Sequence, residues 1–221
     1  MCGKFTTKIS WTDIIDYIER PLDTGDDDPV VRLRVMDDLP VIVRDADERH
    51  VMRMRWGFPS PRDWRRPQPI HARAETIDTL PTFADAFRDG QRGIVLMQTF
   101  NEAPDIEGPT RQHIVTPDAA PLAAAFLWRR FEVGGAPFFA CVLVTVPANP
   151  LLLGLPTDRM PAFLQPDDWA DWLGEDGATP DDAKARLKTM PGAHWTMTPE
   201  QRAASSRRAK PTVSDPGGLF D

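Results

Sequence analysis

Short runs in which apolar residues alternate with polar ones, or follow one another without a break, cover most of this chain. Shorter stretches with apolar residues at helical spacing separate them. The alternating or continuous apolar runs predict strands at 39–44, 50–56, 93–97, 110–115, 124–133 and 137–145. Helical spacing appears at 11–19 behind Ser10 as N-cap, around 83–87 before Asp89-Gly90, at 167–173 and at 180–188. The polar turn at 45–48 joins the first two strand patterns, which predicts a hairpin.

Strands and helices follow one another here without the regular rhythm of βαβ units. This order predicts a single α+β domain with a mostly antiparallel sheet. A chain of 221 residues is long enough to bury a substantial core in one domain. The Pro- and Gly-containing end, 211–221, lacks periodicity, so we expect a domain over 1–210 and a flexible tail after it.

Charge and cysteine content narrow the possible functions. The formal net charge is −7, so binding to a nucleic acid would need a local basic face. The two cysteines, Cys2 and Cys141, make no CxxC pair and no disulfide framework, and Cys141 lies in an apolar run typical of an inert core residue. No apolar run reaches the ~20 residues of a membrane helix and no signal segment follows the start. We therefore expect a cytoplasmic protein with reduced thiols.

The chain begins Met1-Cys2-Gly3-Lys4, and removal of Met1 would leave Cys2 with a thiol and an α-amine on one carbon. A terminal amine titrates near ~8 and a free thiol near ~8.5, so both groups are usable near neutral pH. The pair can condense with an aldehyde as an imine and close to a thiazolidine, or the thiolate can act alone in acyl transfer. The alternative is that Cys2 packs as a small apolar residue.

Residues 56–67 form a Pro-rich stretch that combines aromatic rings with arginines in an otherwise acidic protein. Its candidate nucleic-acid ligands are Trp56, Trp64, Arg62, Arg65 and Arg66. Arginine binds phosphate and aromatic faces stack on unpaired bases. A solvated loop whose tryptophans anchor it to the core explains the same composition equally well.

Several separate stretches, in one order, resemble the SOS-response-associated peptidase (SRAP) family. They are Met1-Cys2-Gly3, Trp56-Gly57, Ala72-Arg73-Ala74-Glu75-Thr76, Glu102 at a strand end, Leu143-Val144-Thr145, Asp158-Arg159-Met160-Pro161 and Trp169-Ala170-Asp171-Trp172-Leu173. Each motif is short, but their order and spacing together are specific, and they extend from residue 1 to about 210.

The resemblance implies a barrel-like sheet core with flanking helices and a basic cleft for single-stranded DNA. It also implies that Met1 is removed, in one version by the protein itself. Cys2 would then condense with the ring-opened aldehyde of an abasic site in crosslinking or lyase-type chemistry. The product would be a thiazolidine that joins DNA and protein.

The chain departs from the family pattern at four positions and resembles a divergent member. His71 stands where the family has Asn, Thr157 where it has His, Ala103 where an aromatic follows the glutamate, and Lys4 where Arg is usual. Either His71 has taken over the acid–base work, because an imidazole can donate and accept protons, or the site has drifted and only binds. We favour the first account.

The predicted catalytic residues are therefore Cys2, Glu102 and His71, with the pKa of Glu102 raised by its place at the end of a buried strand. The predicted contacts to DNA are Lys4, Arg73, Trp56, Trp64, Arg62, Arg65, Arg66, Thr145, Thr157 and Arg159. Glu75 is expected to be structural, pairing with Arg73 or capping the helix that follows.

Three functions of different classes remain open. The chain traps abasic sites in single-stranded DNA through Cys2, or it is a Cys-dependent peptidase, or it binds single-stranded DNA without chemistry. His50, His113 and His194 lack metal-site spacing, so we expect no metal and no nucleotide cofactor. Nothing in the sequence demands a partner subunit, and we expect a monomer.

Overall fold

The fold consists of two β-sheets and a few short helices, seen in a computed structural model that describes residues 2–7, 31–45, 48–60, 63, 67–104, 111–133, 135–155 and 157–200. The strands are β1 Lys4–Thr7, β2 Val31–Arg34, β3 Asp38–Asp45, β4 Glu48–Trp56, β5 His71–Arg73, β6 Arg92–Met97, β7 Thr99–Glu102, β8 His113–Thr116, β9 Leu122–Val133, β10 Ala136–Pro147, β11 Arg159–Pro161, β12 Phe163–Leu164 and β13 Thr196–Pro199. The α-helices are α1 Pro81–Arg88, α2 Pro150–Leu153, α3 Trp169–Leu173 and α4 Pro180–Ala185. Single 3₁₀ turns occupy Ala74–Thr76 and Pro166–Asp168.

Five strands of the larger sheet close into a barrel in the order β10-β4-β3-β6-β9, and β9 pairs again with β10. The strands β9 and β10 form a ladder of eight residue pairs, from Ala136↔Val133 to Leu143↔Phe126. The ring is completed by a parallel contact between β10 and β4, in which Cys141 lies opposite Trp56. A closed ring leaves none of these five strands with an open edge.

The barrel interior explains why its strands read as continuous apolar runs. All six residues of β6 are buried, and Trp56 and Phe126 are fully buried with their rings 6.1 Å apart. Burying a side chain of this size contributes roughly 1.5–3 kcal/mol. Gly93 lets β6 approach β3 closely, because a Cβ there would lie 2.5 Å from Val41 Cγ1.

The second sheet has the order β13-β8-β7-β1-β2, and it holds the start of the chain in its interior. Phe5 of β1 faces Phe100 of β7 across the ladder, and its ring lies 5.6 Å from that of Trp56. This aromatic contact joins the second sheet to the barrel. The N-terminal strand is therefore fixed by pairing on both sides and by packing beneath it.

The predicted fold class, α+β with a mostly antiparallel, barrel-like sheet, is confirmed, since among the strands that the structure describes only the pairings of β10 with β4 and β5 are parallel. The predicted hairpin is also confirmed, with a register from Asp38↔Arg55 to Asp45↔Glu48. The strand predicted to begin at residue 110 begins at His113, and the helix predicted to reach residue 188 ends at Ala185.

The helix predicted at 11–19 and the tail predicted at 211–221 lie outside the described residues. In the part of the chain that the structure describes, no helix has the length and apolar character needed to cross a membrane.

Candidate functional site

Cys2 lies two residues before the start of β1 and is 1% exposed. Its thiol donates to the carbonyl oxygen of Lys4 over 3.5 Å. Burial raises the pKa of the Cys2 thiol to about 12, and the nearby Glu102 carboxylate adds to the effect. The thiol is therefore protonated at neutral pH, and it needs a proton acceptor at the moment it reacts.

Glu102 ends β7 and is also 1% exposed. Burial raises the pKa of Glu102 to about 7, while the backbone N–H groups of Cys2 and Ala103 act in the opposite direction. A carboxyl with this pKa is present in both protonation states near neutral pH. It can therefore accept a proton from one atom and donate it to another. The protonated Cys2 thiol needs such a proton acceptor.

His71, the first residue of β5, contacts the backbone of Cys2. Its Nε2 lies 2.6 Å from the carbonyl oxygen of Cys2. A carbonyl oxygen only accepts, so Nε2 carries the proton in this bond. Burial lowers the pKa of His71, which favours the neutral ring with an unprotonated Nδ1. The imidazole thus holds Cys2 in place from the barrel side, because β5 pairs with β10.

Arg73 lies two residues after His71 on β5 and is exposed. Residues two apart on a strand share one face, so Arg73 extends the His71 side of the strand towards solvent. No ion pair engages its guanidinium within the described residues. Among the predicted DNA contacts that lie in the described ranges, Arg73 is the one whose charged group the structure leaves open to an anion.

The structure contradicts the prediction that Trp56 contacts DNA. Its side chain is 0% exposed, its ring contacts those of Phe5 and Phe126, and its Nε1 donates to the carbonyl oxygen of Ile70. A ring enclosed in this way offers no face to an unpaired base, so the prediction that Trp56 contacts DNA is wrong for this conformation. Trp56 is the last residue of β4, where it faces the core.

Three further predicted DNA contacts are buried and engaged inside the protein. Thr145 and Thr157 are 3% and 4% exposed, and their hydroxyls donate to the carbonyl oxygens of Ala72 and Arg159. Arg159 is 7% exposed. These side chains are not available to a DNA strand in this conformation, because each is already committed to a group within the fold.

Glu75 is the partner of Arg159. Two nitrogens of the Arg159 guanidinium donate to the two carboxylate oxygens of Glu75 over 2.6 and 2.9 Å. The Arg159 hydrogen bonds hold the pKa of Glu75 below its usual value. Arg73 is therefore not the hydrogen-bonded partner of Glu75 that the sequence suggested. The bidentate pair ties β11 to the turn after β5, and so it fixes the strand that carries His71.

The remaining predicted contacts divide into two groups. Lys4 is described, and its ammonium group is paired with Glu200 over 2.6 Å. The loop candidates Arg62, Trp64, Arg65 and Arg66 lie outside the described residues. Within those residues, no group of three or more His, Cys, Asp or Glu side chains is arranged to hold a metal ion.

Two residues near the site were missed by sequence reasoning. Asn101 precedes Glu102 on β7 and is 3% exposed, and His113 of β8 lies directly opposite Glu102 in the ladder. The Nδ1 atom of His113 is buried and has no hydrogen-bond partner in the described part of the chain. Only the register between β7 and β8 brings His113 to Glu102, and no local signal in the sequence carries that register.

The barrel and the site define a class of single-domain α+β protein, with a buried cysteine at residue 2 beside a carboxyl that titrates near neutral pH. A sequence profile of the family described as SOS response associated peptidase (SRAP) matches residues 1–206, and the chain belongs to this family.

Two relatives from Bacillus subtilis (strain 168) resemble the chain over most of its length. The protein named abasic site processing protein YoaM is 28% identical over 191 residues, 82% of each chain. The protein named abasic site processing protein YoqW is 26% identical over 198 residues, 85% of this chain and 87% of the relative.

Solved structures share the fold at lower identity. A protein from Bacteroides thetaiotaomicron superposes with a TM-score of 0.75 at 17% identity, covering 91% of this chain and 93% of its own. A protein from Bordetella bronchiseptica superposes with a TM-score of 0.72 at 21% identity, covering 90% and 100%.

Proposed function

We propose that this protein acts in the response to DNA damage, where it binds single-stranded DNA and traps abasic sites covalently through Cys2 after Met1 has been removed. The observation that carries the proposal is the buried Cys2 thiol within electrostatic range of the buried Glu102 carboxyl, whose pKa is about 7. Membership of the SRAP family and the names of the Bacillus relatives support the abasic-site part.

The chemistry balances without a cofactor. Hydrolysis of the Met1–Cys2 peptide bond consumes one water and frees the α-amine of Cys2. That amine adds to the aldehyde carbon of the opened abasic sugar and expels water, which leaves an imine. The thiol sulfur then adds to the imine carbon, and the proton from sulfur ends on nitrogen. The condensation yields a thiazolidine and one water, and the earlier hydrolysis releases free methionine.

Glu102 is the group that moves protons in this scheme. In its protonated form it donates to the hydroxyl that leaves as water during imine formation. In its ionised form it takes the proton from sulfur as the ring closes. A pKa near 7 keeps both forms populated at physiological pH, which is the condition for a group that serves first as acid and then as base.

His71 was predicted from the sequence to be an acid–base residue, and in this proposal it acts as a positioning residue instead. Its Nε2–H is bonded to the Cys2 carbonyl oxygen and not to the thiol, so it fixes the backbone that carries both reacting groups. Thr157, where the family has His, offers a hydroxyl that is already bonded to Arg159. The proton steps therefore rest on Glu102, with His71 holding Cys2 towards it.

The Cys-dependent peptidase alternative has less support from the site. A cysteine peptidase activates its nucleophile with an imidazole hydrogen-bonded to sulfur. Here the imidazole nearest to Cys2 contacts its carbonyl oxygen, and the pKa of the thiol is raised to about 12. These features suit a thiol that is deprotonated during ring closure better than one that attacks as a preformed thiolate.

The proposal is tested by incubating the purified protein with single-stranded DNA that carries one abasic site. We expect a heat- and SDS-stable adduct with wild type, none with Cys2→Ala, and none when the same oligonucleotide has an intact base. Intact mass of the wild-type protein should show the loss of Met1. No adduct with wild type, or an undiminished adduct with Cys2→Ala, would remove the covalent mechanism.

A further inference from the structure

His113 of β8 is a histidine near the candidate site whose ring has no assigned partner. The ring is half-buried, and its Nδ1 atom is enclosed. Neither ring nitrogen makes a hydrogen bond to any group in the described ranges. Enclosed polar atoms in folded proteins nearly always have a partner, so an exception calls for a group that the ring meets in another state. His71, by contrast, is already bonded to the Cys2 carbonyl oxygen.

The register of the second sheet places His113 beside Glu102. The two residues are directly opposite each other in the antiparallel pair of β7 and β8. Such residues have their side chains on one face of the sheet, with Cβ atoms about 4.5–5.5 Å apart. The imidazole therefore lies next to the side chain of Glu102, on the side of β7 that faces away from β1.

Glu102 is the ionisable neighbour of His113 across the ladders. The described elements packed against β8 are β7 and β13, and on β13 the residue opposite His113 is Pro199. Glu200 follows Pro199, and its carboxylate is held in an ion pair. Arg111, two residues before His113, is exposed and donates to the Glu200 carbonyl oxygen. The charged groups near His113 other than Glu102 are thus engaged elsewhere.

The Glu102 carboxylate can accept a further donor when it is ionised. Its two oxygens offer about four acceptor positions, and the backbone N–H groups of Cys2 and Ala103 bond to it. A buried carboxylate is disfavoured unless donors surround it. An N–H at the neighbouring Nδ1 would stabilise the ionised form, which is the form that takes the proton from sulfur.

We propose that His113 is a positioning residue for Glu102: its Nδ1–H donates to the ionised carboxylate and holds it in place to take the proton from the Cys2 sulfur. This role rests on the proposed function for the reaction that it serves. His113 keeps its own proton throughout, because the proton that moves passes from sulfur to Glu102. Since the bond favours the ionised carboxyl, loss of His113 should raise the pKa of Glu102.

The bond is tested first without DNA, by ¹³C NMR titration of the Glu102 carboxyl carbon. The signal is assigned by its absence from Glu102→Gln. His113→Leu removes both ring nitrogens, and we expect the pKa of Glu102 to rise by about one unit, the scale of one hydrogen bond to a charged group. His113→Asn keeps an N–H donor near the position of Nδ1 and should restore most of the wild-type value.

The matched control is His50→Leu, which makes the same substitution at another half-buried strand histidine. His50 lies in β4 of the barrel, opposite Val43, and we expect the pKa of Glu102 to stay at its wild-type value in this variant. In the abasic-site adduct assay, the inflection of the initial rate with pH should move upward in His113→Leu alone. Denaturant unfolding checks that each variant is folded.

The hydrogen bond from His113 to Glu102 is excluded if the pKa of Glu102 is the same in His113→Leu and wild type. It is also excluded if the pKa rises as much in His50→Leu or in His113→Asn. An adduct with wild type alongside any of these results leaves the proposed function standing. A rise confined to His113→Leu, with no adduct from the wild type, upholds the bond and removes the proposed function.

Discussion

Cys2 and Cys141 are the two cysteines of the chain, and their side chains are 1% and 0% exposed. Burial raises the pKa of both thiols, that of Cys2 to about 12 and that of Cys141 higher still. Exposure and thiol acidity therefore do not separate a candidate nucleophile from a core residue in this protein. The difference lies in what surrounds each sulfur.

Cys141 lies in the wall of the barrel, with Trp128 opposite on β9 and Trp56 opposite on β4. Its backbone carbonyl accepts from Gly57, and its chain neighbours Ala140 and Val142 are fully buried. Cys2 instead precedes a short strand and has Glu102, with a pKa of about 7, as its neighbour. A carboxylate acts on each thiol, Asp38 on Cys141 and Glu102 on Cys2, and each raises the pKa of its thiol. Asp38 is exposed at the start of β3, whereas Glu102 is buried with a pKa of about 7. Of the two carboxylates, Glu102 is therefore the one placed to take a proton from a buried thiol near neutral pH.

Glu102→Gln breaks this comparison most sharply, because it leaves Cys2 as buried as Cys141 and removes the buried carboxyl that can take its proton. General acid–base groups contribute typically 10²–10⁴-fold, so we expect adduct formation to slow by at least about 100-fold. The wild-type rate should change with pH around 7, and that inflection should disappear in the variant. The measurement is the initial rate of adduct formation from pH 5.5 to 8.5. An unchanged pH profile would exclude Glu102 as the proton-transfer group.

Glu102→Gln should also change how the free energy of unfolding depends on pH, and the sign of this change follows from the raised pKa of Glu102. Burial holds the pKa of Glu102 at about 7 in the folded protein against 4.5 as the ordinary value, so folding favours the protonated form. The unfolded state loses its proton first, and the stability of the wild type falls as pH rises from 4.5 through 7. Glu102→Gln should therefore gain up to ~3 kcal/mol relative to wild type at pH 8 compared with pH 4.5. A stability difference that is equal at both pH values would contradict the raised pKa.

His71 sharpens the comparison, because it distinguishes holding the reactive residue from moving its proton. Loss of one neutral hydrogen bond costs about 0.5–1.5 kcal/mol, so His71→Ala should slow adduct formation by up to about tenfold. His71→Gln keeps an N–H donor for the Cys2 carbonyl and should recover most of that rate. Single-turnover rates of adduct formation, measured for both variants, distinguish a positioning role from proton transfer. If Gln is as slow as Ala, the imidazole transfers a proton and does not only position Cys2.

Cys141→Ala tests the other side of the comparison and should have the smallest effect on the reaction. We expect the adduct rate to stay within twofold of wild type, because Cys141 lies in the barrel wall with Trp56 and Trp128 as its ladder partners. The variant should nevertheless unfold at lower denaturant concentration, with a loss of roughly 1–2 kcal/mol from the cavity left in the barrel wall. Loss of the adduct despite a folded protein would show that burial alone does not make this thiol inert.

The larger strands could be predicted because their burial is continuous. The run at 93–97 and the part of β10 at 140–145 are apolar because both faces of these segments meet protein, whereas Pro137 is exposed and Phe138 and Phe139 are half-buried. The short strands β5, β11 and β12 hold two or three residues each, too few to show any period. Closure of the barrel depends on the parallel contact of β10 with β4, between residues far apart in sequence.

The contacts of the candidate site are even harder to predict from local sequence patterns than the short strands. Composition suggested that Trp56 and Arg159 could meet DNA, but their core and ion-pair contacts arise only when distant segments come together. The Lys4–Glu200 pair joins residues from opposite ends of the chain. Cys2 and Glu102 were paired through the family resemblance, since neither residue type signals the other by spacing. Local sequence patterns predict helices and strands, whereas the hydrogen-bond and ion-pair partners of polar side chains depend on the tertiary fold.

The position of β1 between β2 and β7 has a mechanical consequence for a DNA strand attached at Cys2. A pull on the attached DNA would load the residue that leads directly into Lys4–Thr7, a strand with hydrogen-bonded neighbours on both sides. Force applied along such a strand is shared by two ladders at once and by the Phe5 ring packed beneath them. The attachment point is therefore an anchor within a sheet, and it would resist tension far better than a tether at a loose chain end.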